Sequence, residues 1–207
     1  AFVLMDAVSG GNEKIIRLVL DSNVNLQYVN SSGETALHRA VSAIRPDLVN
    51  LLLEKGHPLR PDIICAAVRN KTGLPSAQQK KIIEIVKLLQ AKGANLHYKD
   101  FAGRNALHIA IEQKNIDVIR YFLGTPLARD LENNLHLLVD SLYENAIDTN
   151  VKILEELESS KVNLKSIMAK DEGNLFFHAA IRNYDLPVVL HILKKQLKSP
   201  AQIMVSP

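Results

Sequence analysis

The chain has 207 residues, 25 basic and 22 acidic side chains and a formal net charge of +3, with 47% hydrophobic and 23% charged residues. That balance is ordinary for a globular protein and excludes a largely disordered chain. The single cysteine, Cys65, excludes an internal disulfide framework and fits a reducing, cytoplasmic setting.

Two further classes fall away. No apolar run reaches the roughly 18 to 20 residues that span a bilayer, and the opening Ala1-Phe2-Val3-Leu4-Met5 has no basic n-region or cleavage pattern. A charge of +3 is too small to point to nucleic acid.

In chain order, the apolar spacing predicts short helices in pairs. The first pair is Leu4 to Asn12 and then Ile15 to Leu20. It begins inside its first helix, without a preceding turn or an initiator methionine, so we expect a piece of something longer. The second pair is Leu37 to Ala43 and Leu48 to Leu53, the latter opened by Pro46 in its first turn. The third is Ile63 to Val68 and Ile82 to Gln90, with Ser76-Ala77-Gln78-Gln79 read as a capping box. The fourth is Leu107 to Gln113 and Ile116 to Leu123. The fifth places Leu135-His136-Leu137-Leu138 before Val151 to Leu157, and the sixth places Gly173 to His178 before Val188 to Leu193. Gly56 and Gly93 suit left-handed caps at helix C-termini.

These pairs form a repeat. Gly33-Glu34-Thr35-Ala36-Leu37-His38, Gly103-Arg104-Asn105-Ala106-Leu107-His108 and Gly173-Asn174-Leu175-Phe176-Phe177-His178 carry histidines at intervals of 108 − 38 = 70 and 178 − 108 = 70. Half of that interval is about 35, close to one helix-pair unit. The pattern resembles the ankyrin repeat, whose unit reads G-x-T-P-L-H-x-A-A followed by V-x-x-L-L-x-x-G-A-x-x-N. Gly33 to Ala40 and Lys92-Gly93-Ala94-Asn95-Leu96 match it well, although Ala36 and Ala106 stand where the family has Pro. The third unit has a short lead-in, 26 residues from Leu37 to Ile63, and an insertion around Lys71 to Lys81. The fifth lacks the Gly-x-Thr turn and is lengthened around Asp140 to Asn150.

The resemblance implies an all-α solenoid of about six stacked helix–turn–helix units with short hairpin fingers. We expect units at 1–26, 27–57, 58–94, 95–126, 127–161 and 162–197, and a tail or linker at 198–207. Stacking gives such units a continuous core that no single pair can form.

The candidate chemistry is sparse. His38, His108 and His178, two repeats apart, lie roughly 20 Å from one another at about 10 Å per unit. They cannot share a metal, and the family uses this histidine to bond the turn at its own helix start. His136 reads the same way, and His57, His97 and His191 lack ligand spacing. Cys65 sits in an apolar helix with no activating partner nearby. No phosphate loop or dinucleotide fingerprint occurs. We expect no catalytic residues, no metal and no cofactor.

What remains is a binding surface. Tyr28 and Tyr98 share a register (98 − 28 = 70) on the expected fingers, with Lys99, Phe101 and Arg104 beside the second. Finger aromatics serve either packing between fingers or contact with a partner. The concave face of the first helices carries Arg39, Ser42, Ala43, Ile109, Glu112, Gln113, Arg182 and Asn183. The expectation is a non-enzymatic, monomeric module that binds a protein through Tyr28, Arg39, Tyr98, Lys99, Phe101, Arg104, Ile109 and Glu112, without nucleic acid or membrane insertion. The alternative is the targeting region of a larger protein, such as a bacterial effector secreted into a host cytosol.

Overall fold

A computed structural model describes residues 2–69, 72–132, 139, 140, 142, 149–160, 179, 180 and 185–197. Lys71, His136, His178, Arg182, Asn183 and the tail at 198–207 lie outside those residues. Among the described residues the elements are helices: α1 (Val3–Gly10), α2 (Glu13–Asp21), α3 (Ala36–Ser42), α4 (Pro46–Glu54), α5 (Ile63–Val68), α6 (Ser76–Ala91), α7 (Ala106–Glu112), α8 (Ile116–Leu123), α9 (Ala128–Glu132), α10 (Asn150–Ser159) and α11 (Leu186–Leu197).

Local chemistry sets their ends. The Asn12 carboxamide oxygen accepts from the backbone N–H groups of Lys14 and Ile15 at 3.1 and 3.3 Å, capping α2. Pro46 opens α4, where a missing N–H costs nothing. Past the end of α4, the His57 N–H reaches back to the Leu52 carbonyl at 3.0 Å. Ala94 does the same to Leu89 past α6, also at 3.0 Å. Gly56 and Gly93 hold the left-handed turns there, with φ of 78° and 88°. Within units, the turn from first to second helix uses left-handed Gly11, Ile44 and Lys114 at corresponding places.

The helices stack in two rows. First helices α1, α3, α5 and α7 pack in succession, and second helices α4, α6, α8, α10 and α11 pack in a parallel succession. Between the rows runs one core that includes Ile16, Leu37, Leu52, Ile63, Ile85, Leu107 and Phe122, all fully buried. Each unit is thus stabilised by its neighbours, as expected for a solenoid.

The third unit departs from the sequence expectation. Ser76 is already helical, Pro75 precedes it, and no side-chain cap forms. The Ser76 hydroxyl instead donates to Asp117 at 2.5 Å, and Gln79 accepts from the Asp117 backbone N–H at 2.8 Å. The Leu74 N–H donates to Asn115, and the Gly73 N–H to the Gln113 carbonyl. The described part of the insertion is therefore stitched onto the α7–α8 turn, at the end opposite the fingers. A second polar line is buried in the stack. The Lys114 ammonium donates to the Leu142 carbonyl and to the Asn150 side chain, and the Asn150 amide donates to Asp185 at 3.0 Å.

Candidate functional site

Two fingers share one construction. In the first, the Asn30 N–H donates to the Glu34 carbonyl at 2.9 Å and the Gly33 N–H to the Asn30 carbonyl at 3.0 Å. In the second, Asp100 bonds Arg104 and Gly103 bonds Asp100 in the same way, both at 2.9 Å. Gly33 and Gly103 take φ of 81° and 77°, which a side chain disfavours. This is a tight turn closed by a left-handed residue. The Asn30 side chain accepts from the N–H groups of Ser32 and Glu34, and the Asp100 carboxylate from those of Ala102 and Arg104. Burial pushes the Asp100 carboxyl up, but these N–H donors and the Arg104 guanidinium outweigh it and hold it below the usual carboxylate range. Asn30 and Asp100 organise the fingers, although they were not singled out as site residues. Their signal was a Gly three residues on, at the same 70-residue interval.

The expected contact residues separate by burial. Tyr28 and Tyr98 are half-buried against the core. Tyr28 also meets Phe2 edge-on, with centroids 5.0 Å apart. Phe101 is fully exposed at the tip of the second finger, at 110% of reference accessibility. Arg39 and Lys99 are exposed. Arg104 links its finger to the end of α7, with Nη1 2.7 Å from Glu112 and Nη2 3.0 Å from Asp100. Ile109 corrects the expectation: it is 1% exposed and belongs to the core, so it offers no free contact. The cause is α7's position, packed between α5 and α8. Arg69, which the sequence reading passed over, reaches Asp100 at 3.1 Å and joins the finger to α5.

His38 and His108 are structural. Each imidazole Nδ1 accepts from the backbone N–H of its helix N-cap, Thr35 at 3.3 Å and Asn105 at 3.4 Å. Those N-cap side chains accept in return from the histidine N–H groups, at 3.4 and 3.2 Å. The bond from Thr35 makes Nδ1 an acceptor and leaves the ring proton on Nε2. In His38 that nitrogen lies 3.4 Å from Asp62 without hydrogen-bond alignment. Burial lowers the pKa of His38 and His57, and brings that of His108 down to about 4. Burial also pushes the Cys65 thiol up to about 12, which makes it a poor nucleophile. Among the described residues, no group of three or more His, Cys, Asp or Glu side chains is arranged to hold a metal ion. None of the described helices is long and apolar enough to cross a membrane.

Comparison with known proteins agrees with this architecture. A family model described as ankyrin repeats (three copies) matches residues 1–62, and one for a single ankyrin repeat matches residues 102–131. Human NF-kappa-B inhibitor zeta is 34% identical over 104 residues, which is 50% of this chain and 13% of that protein. L-asparaginase of Dirofilaria immitis is 24% identical over 150 residues, covering 58% of this chain and 25% of that protein. A crystal structure of the ankyrin repeat domain of Bcl-3 aligns with a TM-score of 0.49 at 19% identity, over 73% of this chain and 81% of that one. Residues 1–62 and 102–131 thus match ankyrin repeats, and the described helices stack in two rows. It spans a small fraction of the curated relatives it matches. The bacterial-effector expectation finds no support in these matches.

Proposed function

We propose that this chain is a non-enzymatic protein-binding module of the cytosol that grips its partner along the finger side. The observation that carries the reading is Phe101, a large aromatic held fully in solvent by a rigid, hydrogen-bonded turn. A free aromatic on an ordered support is a contact made at little ordering cost. Tyr28 and Tyr98 steady the finger bases from within, while Arg39, Lys99, Arg104 and Glu112 flank the tip with polar groups. Similarity over 104 residues to an NF-kappa-B inhibitor supports a protein as the partner class.

A photo-crosslinking probe tests this. Phe101→p-benzoylphenylalanine is expected to trap a protein adduct in cells, while the same probe at exposed Leu18 is not. Equal labelling at both positions, or none at Phe101, would remove the placement. A second reading treats the repeats as the targeting part of a larger multidomain protein. The small shares of the inhibitor and of the asparaginase that match support it. On that reading the catalytic residues lie outside this chain.

A further inference from the structure

The corner where fingers meet first helices is lined by arginines, and each is held from beneath by a carboxylate. Arg39 on α3 reaches Glu34 of the first finger at 2.8 Å. Arg69 at the end of α5 reaches Asp100 of the second, and Arg104 runs from that finger to Glu112. In all three pairs the guanidinium is the more exposed partner. The side-chain exposures are 45% against 34% for Arg39 and Glu34, 47% against 10% for Arg69 and Asp100, and 25% against 14% for Arg104 and Glu112. Among the described residues, Arg39 and Arg69 each use Nη2 alone, which leaves Nε and Nη1 without side-chain partners there. The Arg60 and Lys99 side chains are exposed and have no hydrogen-bond or ion-pair partner among the described residues.

The short lead-in to the third unit opens this corner. Residues 55–62 pass directly into α5, with the Ile63 N–H on the Arg60 carbonyl at 3.2 Å, and no finger stands between the two described above. From these observations we infer that the gap between the fingers is a docking surface for an acidic peptide segment of a partner protein, whose carboxylates take the outward N–H groups of Arg39 and Arg69 while Arg60 and Lys99 set the approach. The inference rests on the finger-side reading above and narrows its partner class. Guanidiniums fixed on one side are pre-oriented forks for carboxylates, so little side-chain entropy remains to be lost. A nucleic-acid backbone fits less well. Glu34 and Asp62 are themselves part-exposed on this face, and the chain's net charge is only +3.

The test is selection from a phage-displayed random dodecapeptide library on the 207-residue chain. Selected peptides are then titrated against wild type, Arg39→Glu/Arg69→Glu and Phe101→Asp, with folding checked by circular dichroism. The expected result is enrichment of Asp and Glu over the input library, with binding weakened roughly tenfold or more by the arginine double variant and falling as salt rises. Arg39→Lys/Arg69→Lys is expected to retain part of the affinity. Peptides that depend on Phe101 but show no acidic enrichment, or that ignore the arginine variant, overturn the acidic partner and leave the module reading standing. Peptides indifferent to both variants, or no peptides at all, overturn both. Duplex DNA bound more tightly than every selected peptide also overturns the inference.

Discussion

The imidazole of His108 shows how one residue fixes a helix start. Its Nδ1 meets both the Asn105 backbone N–H at 3.4 Å and the Asn105 side-chain oxygen at 2.8 Å, and the ring is fully buried. Burial lowers its pKa from 6.5 to about 4. The unfolded chain therefore binds the proton first as pH falls. The stabilising contribution is complete above pH 6.5 and is lost as pH drops toward about 4. For this one group the loss is on the order of 3 kcal/mol. His38 and His57 shift in the same direction and add to the effect. Urea titrations at several pH values are expected to show the midpoint falling over that window. A His108→Gln variant is expected to be less stable at neutral pH and to show a shallower fall. The recurring histidine was legible in the sequence because capping needs only residues three apart on one chain. The exposure of Phe101 against the half-burial of Tyr98 was not, because that depends on what the finger leans against.

At the scale of elements, the α7–α8 turn carries an unusual device. Lys114 is left-handed, with φ of 56°, and is buried at 3% exposure. Its ammonium satisfies Leu142 and Asn150, and the Asn150 amide continues to Asp185, so three successive second-helix starts share one polar line. Lys114→Gly suits the backbone but removes the ammonium, leaving buried acceptors unpaired. It is expected to destabilise by about 1 to 3 kcal/mol in urea denaturation, whereas exposed Lys92→Met is expected to be nearly neutral. A Lys114→Gly chain more stable than wild type would show that the backbone strain outweighs the polar line. Nothing in the sequence marks this lysine, since its partners lie 28 and 36 residues away. The Ser76 capping box failed for a related reason. Its hydroxyl found Asp117, 41 residues on, in place of its own helix.

Among the described residues one core runs through successive units, so a cavity in it touches neighbouring units. Phe122, fully buried between rows, is expected to cost about 3 to 5 kcal/mol on change to alanine. Phe101→Ala is expected to stay within about 0.5 kcal/mol of wild type, because no packing is lost. Paired thermal and urea melts compare the two directly. A large loss for Phe101→Ala would mean that the finger tip supports the fold and is not free to serve a partner.

Helical pairing, the repeat interval and the register of the fingers follow from the sequence by itself, and the capping role of the recurring histidine from the resemblance it carries. All rest on contacts within a few residues, or on a period that successive units must share. Only the tertiary structure decided which finger and groove residues face water. It brought Arg69 to Asp100, drew Ile109 into the core and laid the described part of the third unit's insertion against the α7–α8 turn. Those outcomes depend on how far one helix pair is displaced on the next. That displacement is set by summed packing between units, which no short stretch of residues encodes.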